Sequence, residues 1–405
     1  MEVAVIKTIG ELIQDTRRAS NITLTQLSEL SGIPKGTISR IENGDVKRPQ
    51  FSTVHPLAKA LNIPLETLID YYVEIERRSD SLLHILHTTI QHKSNNELIQ
   101  KVATKFLEAC NEDSYDLTEK LYQSINSIED TSIKLLLYNL IIEHSRSHGM
   151  MPYIAKGMYQ RYLIERNDFS KLKETYYSGK YILHYADFLP QQERVELYYK
   201  LGVHAYNLRL YSECIDHCNM ILAIDSGTSS YKVHALGLLR DSYFALHKYE
   251  ESEVYSLQYK QFDYPNTQEN VLLMEAYINS KKGNIELSIN QLLLFLKSCS
   301  NDSVISATNQ LLRLYLQQNN LEGAKNILEG STINPSILNT TNPLILSRYA
   351  DYLQIKGEYY LAVGDYEACI NHMVEGASYY SKVNARVKEK LCRIIKTAFT
   401  HGDIL

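Results

Sequence analysis

Tryptophan is absent, glycine and proline are sparse at 17 and 9 residues in 405, and no apolar run approaches the span of a bilayer. Each gap excludes something. The longest apolar run, LLLYNLII at 135–142, is far below the ~20 residues a spanning helix needs. The N-terminus MEVAVIKTIGELIQ lacks a basic segment followed by an apolar one. A cytoplasmic protein without membrane contact is therefore expected. Positive excess is also missing: the net charge is −5, which argues against coating nucleic acid through bulk attraction. Cysteine is thin, with Cys110, Cys214, Cys218, Cys299, Cys369 and Cys392 scattered along a long chain, so reduced thiols are expected rather than a disulfide framework. CIDHC at 214–218 offers one helical turn of possible ligands with no second pair, and neither a metal nor a cofactor is expected. No Gly-rich phosphate loop, HExxH or GxSxG occurs, which leaves no catalytic constellation and points away from an enzyme.

What is present is length and helical pattern. A chain of 405 residues with 44 % apolar residues exceeds one ordinary core, leaving either two or three folding units or a repetitive array. In the first 70 residues eight cations balance eight anions. TIGELIQDTRRAS places Ile9, Leu12 and Ile13 on one side of a helix that ends in Arg17 and Arg18, cations favoured near a helix C-terminus. TLTQ at 23–26 fits a capping box opening a helix over Leu24–Ser31, with Leu27 and Leu30 inward and Gly32 as its stop. IPKGTISRIENG then reads as a second short helix with Ile38 and Ile41 inward and Gly44 ending it. Lys35, Gly36, Thr37, Ser39 and Arg40 are left facing outward. Two short helices joined through a glycine turn make the geometry that lays its second helix in the DNA major groove.

The stretch LTQLSELSGIPKGTISRIENGDVKRPQFSTVHPLAKALNIPLETL resembles the Xre and lambda-type phage repressor helix-turn-helix family over nearly its whole length. By that resemblance Lys35, Gly36, Thr37 and Arg40 hold base-facing positions. Asn43, Lys47, Arg48 and the backbone near Phe51 hold phosphate-contacting ones. Two departures thin the contacts: Leu24 stands where the family commonly has a phosphate-touching Gln, and Gly36 stands where a longer side chain often reads a base. Pro56 requires the fourth helix to begin close to it.

Beyond residue 72 no strand-like alternation appears, and the useful question is whether the helices repeat. LGVHAYNLRLYSECIDHCNMILAID at 201–225 and KGEYYLAVGDYEACINH at 356–372 resemble tetratricopeptide repeats. In the first, Leu201, Gly202, Tyr211, Cys214 and Cys218 hold the large, small, aromatic and packing positions. Weaker copies place their turn residue at Phe169, Tyr249, Ile285 and Leu321, with Tyr366 in the last. The fold expected is all-α: an Xre-type helix-turn-helix domain over residues 1–72, then a linker helix and a right-handed tetratricopeptide-repeat superhelix over 73–405, closed by a helix from about Asn384. First helices line the groove of such an array. Periodicity puts Arg161, Tyr199, Tyr206, Asn207, His234, Asp241, Phe244, Asn270, Tyr277, Asn309, Arg313, Gln354 and Glu358 at groove-facing positions. Amides can pair with both edges of an extended peptide backbone, aromatics form pockets, and isolated charges fix a terminus.

A repressor-like helix-turn-helix followed by a long tetratricopeptide array resembles the RRNPP family of peptide-responsive regulators of Gram-positive bacteria and their mobile elements. The resemblance implies a cytoplasmic homodimeric transcription regulator whose partners are an operator duplex and a short signalling peptide held in the repeat groove. The alternative is a repeat scaffold that grips another protein, its helix-turn-helix serving autoregulation.

Overall fold

The computed structural model describes residues 8–227, 229–330, 333, 343–382, 392, 393, 395 and 396, and every regular element among them is helical. The chain divides into two compact units, one running to Ile164 and including His184–Leu189, the other comprising Glu165–Leu183 and the residues from Pro190 on. None of the described helices is long and apolar enough to cross a membrane.

The first unit opens with α1 (Ile9–Ala19), α2 (Leu24–Ser31), α3 (Lys35–Glu42), α4 (Phe51–Ala60) and α5 (Leu65–Tyr72). It continues with α6 (Ser79–Gln91), α7 (Asn96–Leu107), α8 (Ser114–Ser124), α9 (Thr131–His148) and α10 (Met151–Glu165). Side-chain caps start many of these helices. Thr8 and Thr23 each close a capping box with the residue three positions on, and Asn95, Asp113 and Asp130 accept from first-turn N–H groups, satisfying donors a helix start leaves orphaned. One continuous hydrophobic core extends from Ile9 to Tyr153. The domain end expected at residue 72 lies inside it: Tyr72, Val73 and Leu82 are all buried, and Lys101 on α7 reaches back to Asp70 at 2.6 Å and Glu74 at 2.9 Å. The helical pairs of residues 80–165, which carry no legible repeat register, are α6 with α7 and α8 with α9.

Two local expectations are corrected. Leu30 is 64 % exposed, because the buried or half-buried stripe of α2 runs through Leu24, Leu27, Ser28 and Ser31, the i, i+3, i+4, i+7 positions of one face, and Leu30 lies off it. Pro56 sits inside α4, which begins at Phe51. The helix therefore lacks the hydrogen bond a residue at 56 would donate to the Ser52 carbonyl.

The second unit begins with α11 (Leu172–Tyr181) and stacks five antiparallel pairs. These are α12 (Gln191–Asn207) with α13 (Tyr211–Ile224), α14 (Ser230–Ala245) with α15 (Tyr249–Lys260), and α16 (Thr267–Lys281) with α17 (Ile285–Phe295). Then come α18 (Asn301–Gln317) with α19 (Leu321–Gly330) and α20 (Pro343–Ala362) with α21 (Tyr366–Lys382). Each second helix begins at the turn residue the repeat pattern marks: Tyr211, Tyr249, Ile285, Leu321 and Tyr366. One device sets all five turns. Two residues before each of them a left-handed residue breaks the first helix, namely Arg209, His247, Gly283, Asn319 and Gly364. The next N–H then bonds five residues back, as in Leu210 to Ala205 at 2.9 Å and Asn320 to Tyr315 at 2.8 Å, the helix-ending bond that closes orphan carbonyls. Phe169 differs: it opens a 3-10 turn, α11 starts three residues later, and α10 and α11 belong to different compact units. The closing helix expected from Asn384 falls outside the described residues.

Small residues let the pairs close. A Cβ on Gly357 would lie 3.0 Å from the Met373 Cε, and one on Gly202 would meet the Cys218 Sγ at 3.4 Å. Cys214 and Cys218 are fully buried, which is the packing role the repeat pattern assigns them. Their neighbours on α13, Glu213 and His217, join a polar knot. Tyr176 on α11 donates to Glu213 at 2.7 Å, its oxygen stands 3.0 Å from the His217 Nε2, and His204 meets its ring edge-on at 5.5 Å.

Two expected outcomes follow from these contacts. Gly283, at φ 89° with open space around its Cβ position, is expected to lose about 1 kcal/mol on change to Ala through backbone strain alone, whereas Asn319→Gly stays near neutral. Denaturant titration measures both. Burial holds both His204 and His217 down at about 4, so below the ordinary value near 6.5 the unfolded chain binds protons that the folded chain refuses. Stability is then intact above pH 6.5 and declines as pH falls from 6.5 towards 4. Thermal melts at pH 7.5 and 5 read the decline, which is expected to shrink in His217→Gln.

Candidate DNA-binding face and repeat groove

The helix-turn-helix is built around a close approach of α1 and α3. Gly10 makes it possible: a Cβ there would lie 2.2 Å from the Ile41 carbonyl oxygen. Arg17 then locks it, its Nε and Nη2 each donating to the Glu42 carboxylate at 2.7 Å and its Nη1 donating to the Ile22 carbonyl at 2.9 Å. The pair is mostly shielded, with 12 % of the Arg17 and 3 % of the Glu42 side chain exposed, and the hydrogen bond to Glu42 raises the Arg17 guanidinium's affinity for its proton. A two-pronged, partly desolvated pair of this kind fixes orientation as well as distance. On the α2 side, Thr23 accepts from the Gln26 N–H at 3.2 Å while its own N–H donates to the Gln26 side chain at 2.8 Å. Gly32 ends α2 at φ 72°, and Pro34 opens α3.

This frame decides which side of α3 meets solvent. Ile38 and Ile41 are buried, Lys35, Gly36 and Arg40 are exposed, and Thr37 and Ser39 are half-buried. Asn43, Lys47 and Arg48 are exposed in and beyond the turn that follows, where the Asn43 amide donates to the Ser39 hydroxyl at 3.4 Å and the Val46 N–H caps the Arg40 carbonyl at 3.2 Å. The residues assigned to DNA contact thus lie along one short helix and the loop leaving it.

In the second unit the groove candidates occupy the first helices of successive pairs, and many of them tie those helices together. Tyr199 on α12 stacks on His234 of α14 with centroids 5.5 Å apart. Phe244 on α14 meets Tyr277 of α16 at 5.9 Å. The Tyr277 hydroxyl donates to the Ser306 carbonyl of α18 at 2.8 Å, and the Asn309 amide donates to the Arg348 carbonyl of α20 at 2.9 Å. Asn270 offers its carbonyl to Arg240 at 3.2 Å. Gln354 donates to Glu358 at 2.9 Å and accepts from Tyr380 at 3.1 Å. Tyr206, Asn207 and Asp241 are half-buried and Arg313 is exposed. Arg161 stands apart, in the first unit, where it donates to Asn139 at 3.0 Å.

Charged groups on several first helices bear on two phenols. Burial, then the Asp241 carboxylate and Tyr211, push the Tyr206 phenol up, against the pull of Arg348 and Arg240. Burial pushes Tyr277 up to about 12, with Arg348 and Arg313 opposing and Asp241 and Asp351 assisting. Arg348 on α20 is therefore felt at both α12 and α16. Tyr380 on α21 donates to Asp351 of α20, and periodicity within single repeats missed both residues, together with Arg348 and Tyr211. Their signal, an Arg and an Asp three residues apart on the last first helix, acquires meaning only once helices distant in sequence meet. Arg240 is buried and bonded to Asp241 at 2.8 Å, whereas Arg313 is exposed and Arg348 half-buried.

Residues 13–68 match the helix-turn-helix family. Two Bacillus subtilis (strain 168) proteins are similar over this region. The uncharacterized HTH-type transcriptional regulator RghRB is 42 % identical over 60 residues, 15 % of this chain and 43 % of that protein. The HTH-type transcriptional repressor RghR is 39 % identical over 64 residues, 16 % of this chain and 47 % of that protein. The chain thus spans less than half the length of each relative. Among solved structures, Bacillus thuringiensis PlcR in complex with the peptide PapR7 and DNA aligns at 13 % identity over 96 % of this chain and 99 % of that one, with a TM-score of 0.26. A Pyrococcus horikoshii signal-transduction ATPase with a tetratricopeptide-repeat sensor aligns at 11 % identity over 91 % and 61 %, with a TM-score of 0.42. Both superpositions are too loose to carry weight; the N-terminal match makes residues 13–68 a helix-turn-helix domain.

Removing the Glu42 carboxylate strands Arg17 in a shielded site. Glu42→Ala is expected to cost about 3 kcal/mol, seen as a lowered midpoint in urea unfolding.

Proposed function

We propose that the chain is a transcription regulator that reads an operator with α3 and changes that reading when a short oligopeptide occupies the inner face of the second unit. The observation that carries the DNA half is the braced α3, which turns Lys35, Thr37 and Arg40 outward while Ile38 and Ile41 anchor it. A helix of this size fits the major groove, where Arg and Lys can donate to guanine O6 and N7 and a hydroxyl can pair with several bases. Ser39 and Gly36 complete the helix surface, and Asn43, Lys47 and Arg48 hold the backbone on either side.

The peptide half rests on the tied wall of first helices and the paired charges at its centre. Asp241 and Asp351 suit a peptide's amino group or a basic side chain; Arg313 and Arg348 suit its carboxylate. Tyr206, Asn207, Gln354 and Glu358 supply the polar edges beside them, while Tyr199, His234, Phe244, Asn270, Tyr277 and Asn309 shape the wall. Two DNA-reading heads in a cytoplasmic homodimer must meet half-sites about one helical turn or a multiple apart, so a small change in the pitch of an array can make or break simultaneous contact. Nothing in this mechanism needs bond-breaking chemistry, and the chain acts as a binding protein, not an enzyme.

Selection from a random duplex pool with the full chain, followed by binding titrations, tests the DNA half. Arg40→Ala is expected to shift the enriched sequence at one position by about 1–3 kcal/mol, whereas Lys47→Ala weakens all duplexes alike. A pool that enriches nothing, or enriches the same sequence with Arg40→Ala, would count against α3 as the reading helix.

A further inference from the structure

Beside the loop that carries Lys47 and Arg48 the first unit holds a cleft of about 220 Å³, whose lining includes Arg48, Gln50, Tyr72, Glu76, Arg77 and Arg78. Its far wall is the junction between α5 and α6, outside the residues 13–68 that match the helix-turn-helix family. Three arginines share this cleft with one carboxylate, and that carboxylate is already committed. Glu76 is 7 % exposed; it accepts from the Tyr72 hydroxyl at 3.0 Å and from the backbone N–H groups of Arg77 at 2.9 Å and Arg78 at 3.0 Å. Burial opposes its ionisation, yet the Arg78 guanidinium, the Ser81 hydroxyl and those two N–H groups hold it down at about 2. The Arg78 guanidinium touches it only at 3.4 Å and leaves 60 % of its side chain in solvent. Arg77 is exposed, its nearest acceptor the Glu76 carbonyl at 3.4 Å.

Glu76 therefore fixes the backbone of the junction, and the two arginines beside it remain largely in solvent. The two walls are also tied, because the Phe51 ring at the start of α4 packs edge-on against Tyr72 with centroids 5.1 Å apart. Planar guanidinium forks meet phosphate oxygens with two parallel bonds, whereas an ammonium meets them as a point charge. Arg77 is exposed, and Arg78, although bonded to Glu76, keeps 60 % of its side chain in solvent, so both can meet a phosphate.

We propose that Arg77 and Arg78 form, with Arg48, a second clamp for the DNA sugar-phosphate backbone, so that the segment leading out of the helix-turn-helix itself touches the duplex. The proposal rests on the DNA-binding function above. A polyanionic duplex fits better than a free anion, because three cations lining one cleft can engage successive phosphates of one strand. The junction adds affinity without reading sequence, and any change in its geometry changes affinity for every duplex.

Binding of the full chain to a random-sequence duplex is measured across a salt series for wild type, R77A/R78A, R77K/R78K and Lys47→Ala, with K297A/K325A as a control of equal charge loss in the other unit. Since each neutralised phosphate contributes about 0.9 to the slope of log affinity against log salt, R77A/R78A is expected to lower that slope by about 1 to 2 in protein that circular dichroism shows to be folded. R77K/R78K restores most of it and K297A/K325A leaves it unchanged. A slope unchanged in R77A/R78A but lowered in Lys47→Ala overturns the second clamp and leaves the DNA-binding function standing. An equal fall in K297A/K325A overturns the clamp as a general charge effect. Wild-type protein without salt-sensitive affinity for any duplex overturns both.

Discussion

The Arg17–Glu42 pair sets the one distance on which the DNA-facing half depends. α3 is eight residues long, too short to hold its own shape in water. Its position comes from what it is bolted to: Gly10 admits the Ile41 carbonyl to within a space no side chain could share, and the guanidinium fork closes the gap from the other side. Because both partners are shielded from solvent, the pair costs desolvation and repays it only with this geometry intact. That is an arrangement suited to orientation more than to stability, and orientation is what a helix entering a groove requires.

The second unit solves a different problem with a repeated device. Its stacked pairs gain stability from neighbours, so errors in one turn would propagate along the array. A left-handed residue two positions before each second helix sets every turn alike, with glycine or asparagine at three sites. Arg209 and His247 adopt the same conformation at a steric cost, which the surrounding packing overrides. The result is a wall of first helices whose tyrosines, amides and charges are mutually bonded. Many groove candidates are consequently structural members of the wall as well as possible contacts. Arg313, Arg348, Asp241 and Asp351 all bear electrostatically on the Tyr277 phenol.

Local signals were readable in advance. Thr23 with Gln26, Gly32, and the turn residues Tyr211, Tyr249, Ile285, Leu321 and Tyr366 mark their elements to the residue, since caps and helix stops depend on a few neighbours. The solvent-facing side of α3 was legible for the same reason, with Ile38 and Ile41 defining its opposite side. Contacts between distant residues were not. Arg17 reads as a cation at a helix end, and only the fold brings it to Glu42. Leu30 passes for a core residue until the stripe of α2 is seen to run through Ser28 and Ser31. The core continuing past Tyr72, and Arg348 acting on Tyr206, depend on how helices stack, which no periodicity within one helix encodes.

The central claim is that occupancy of the array governs reading by α3. DNA affinity of the full chain, measured by fluorescence anisotropy on its selected operator with and without a peptide shown by calorimetry to bind, tests this most directly. The account predicts a change of about tenfold or more, the scale of ordinary allosteric coupling, and its loss when Arg313 and Arg348 are both changed to Ala. An affinity that stays the same at saturating peptide would contradict it.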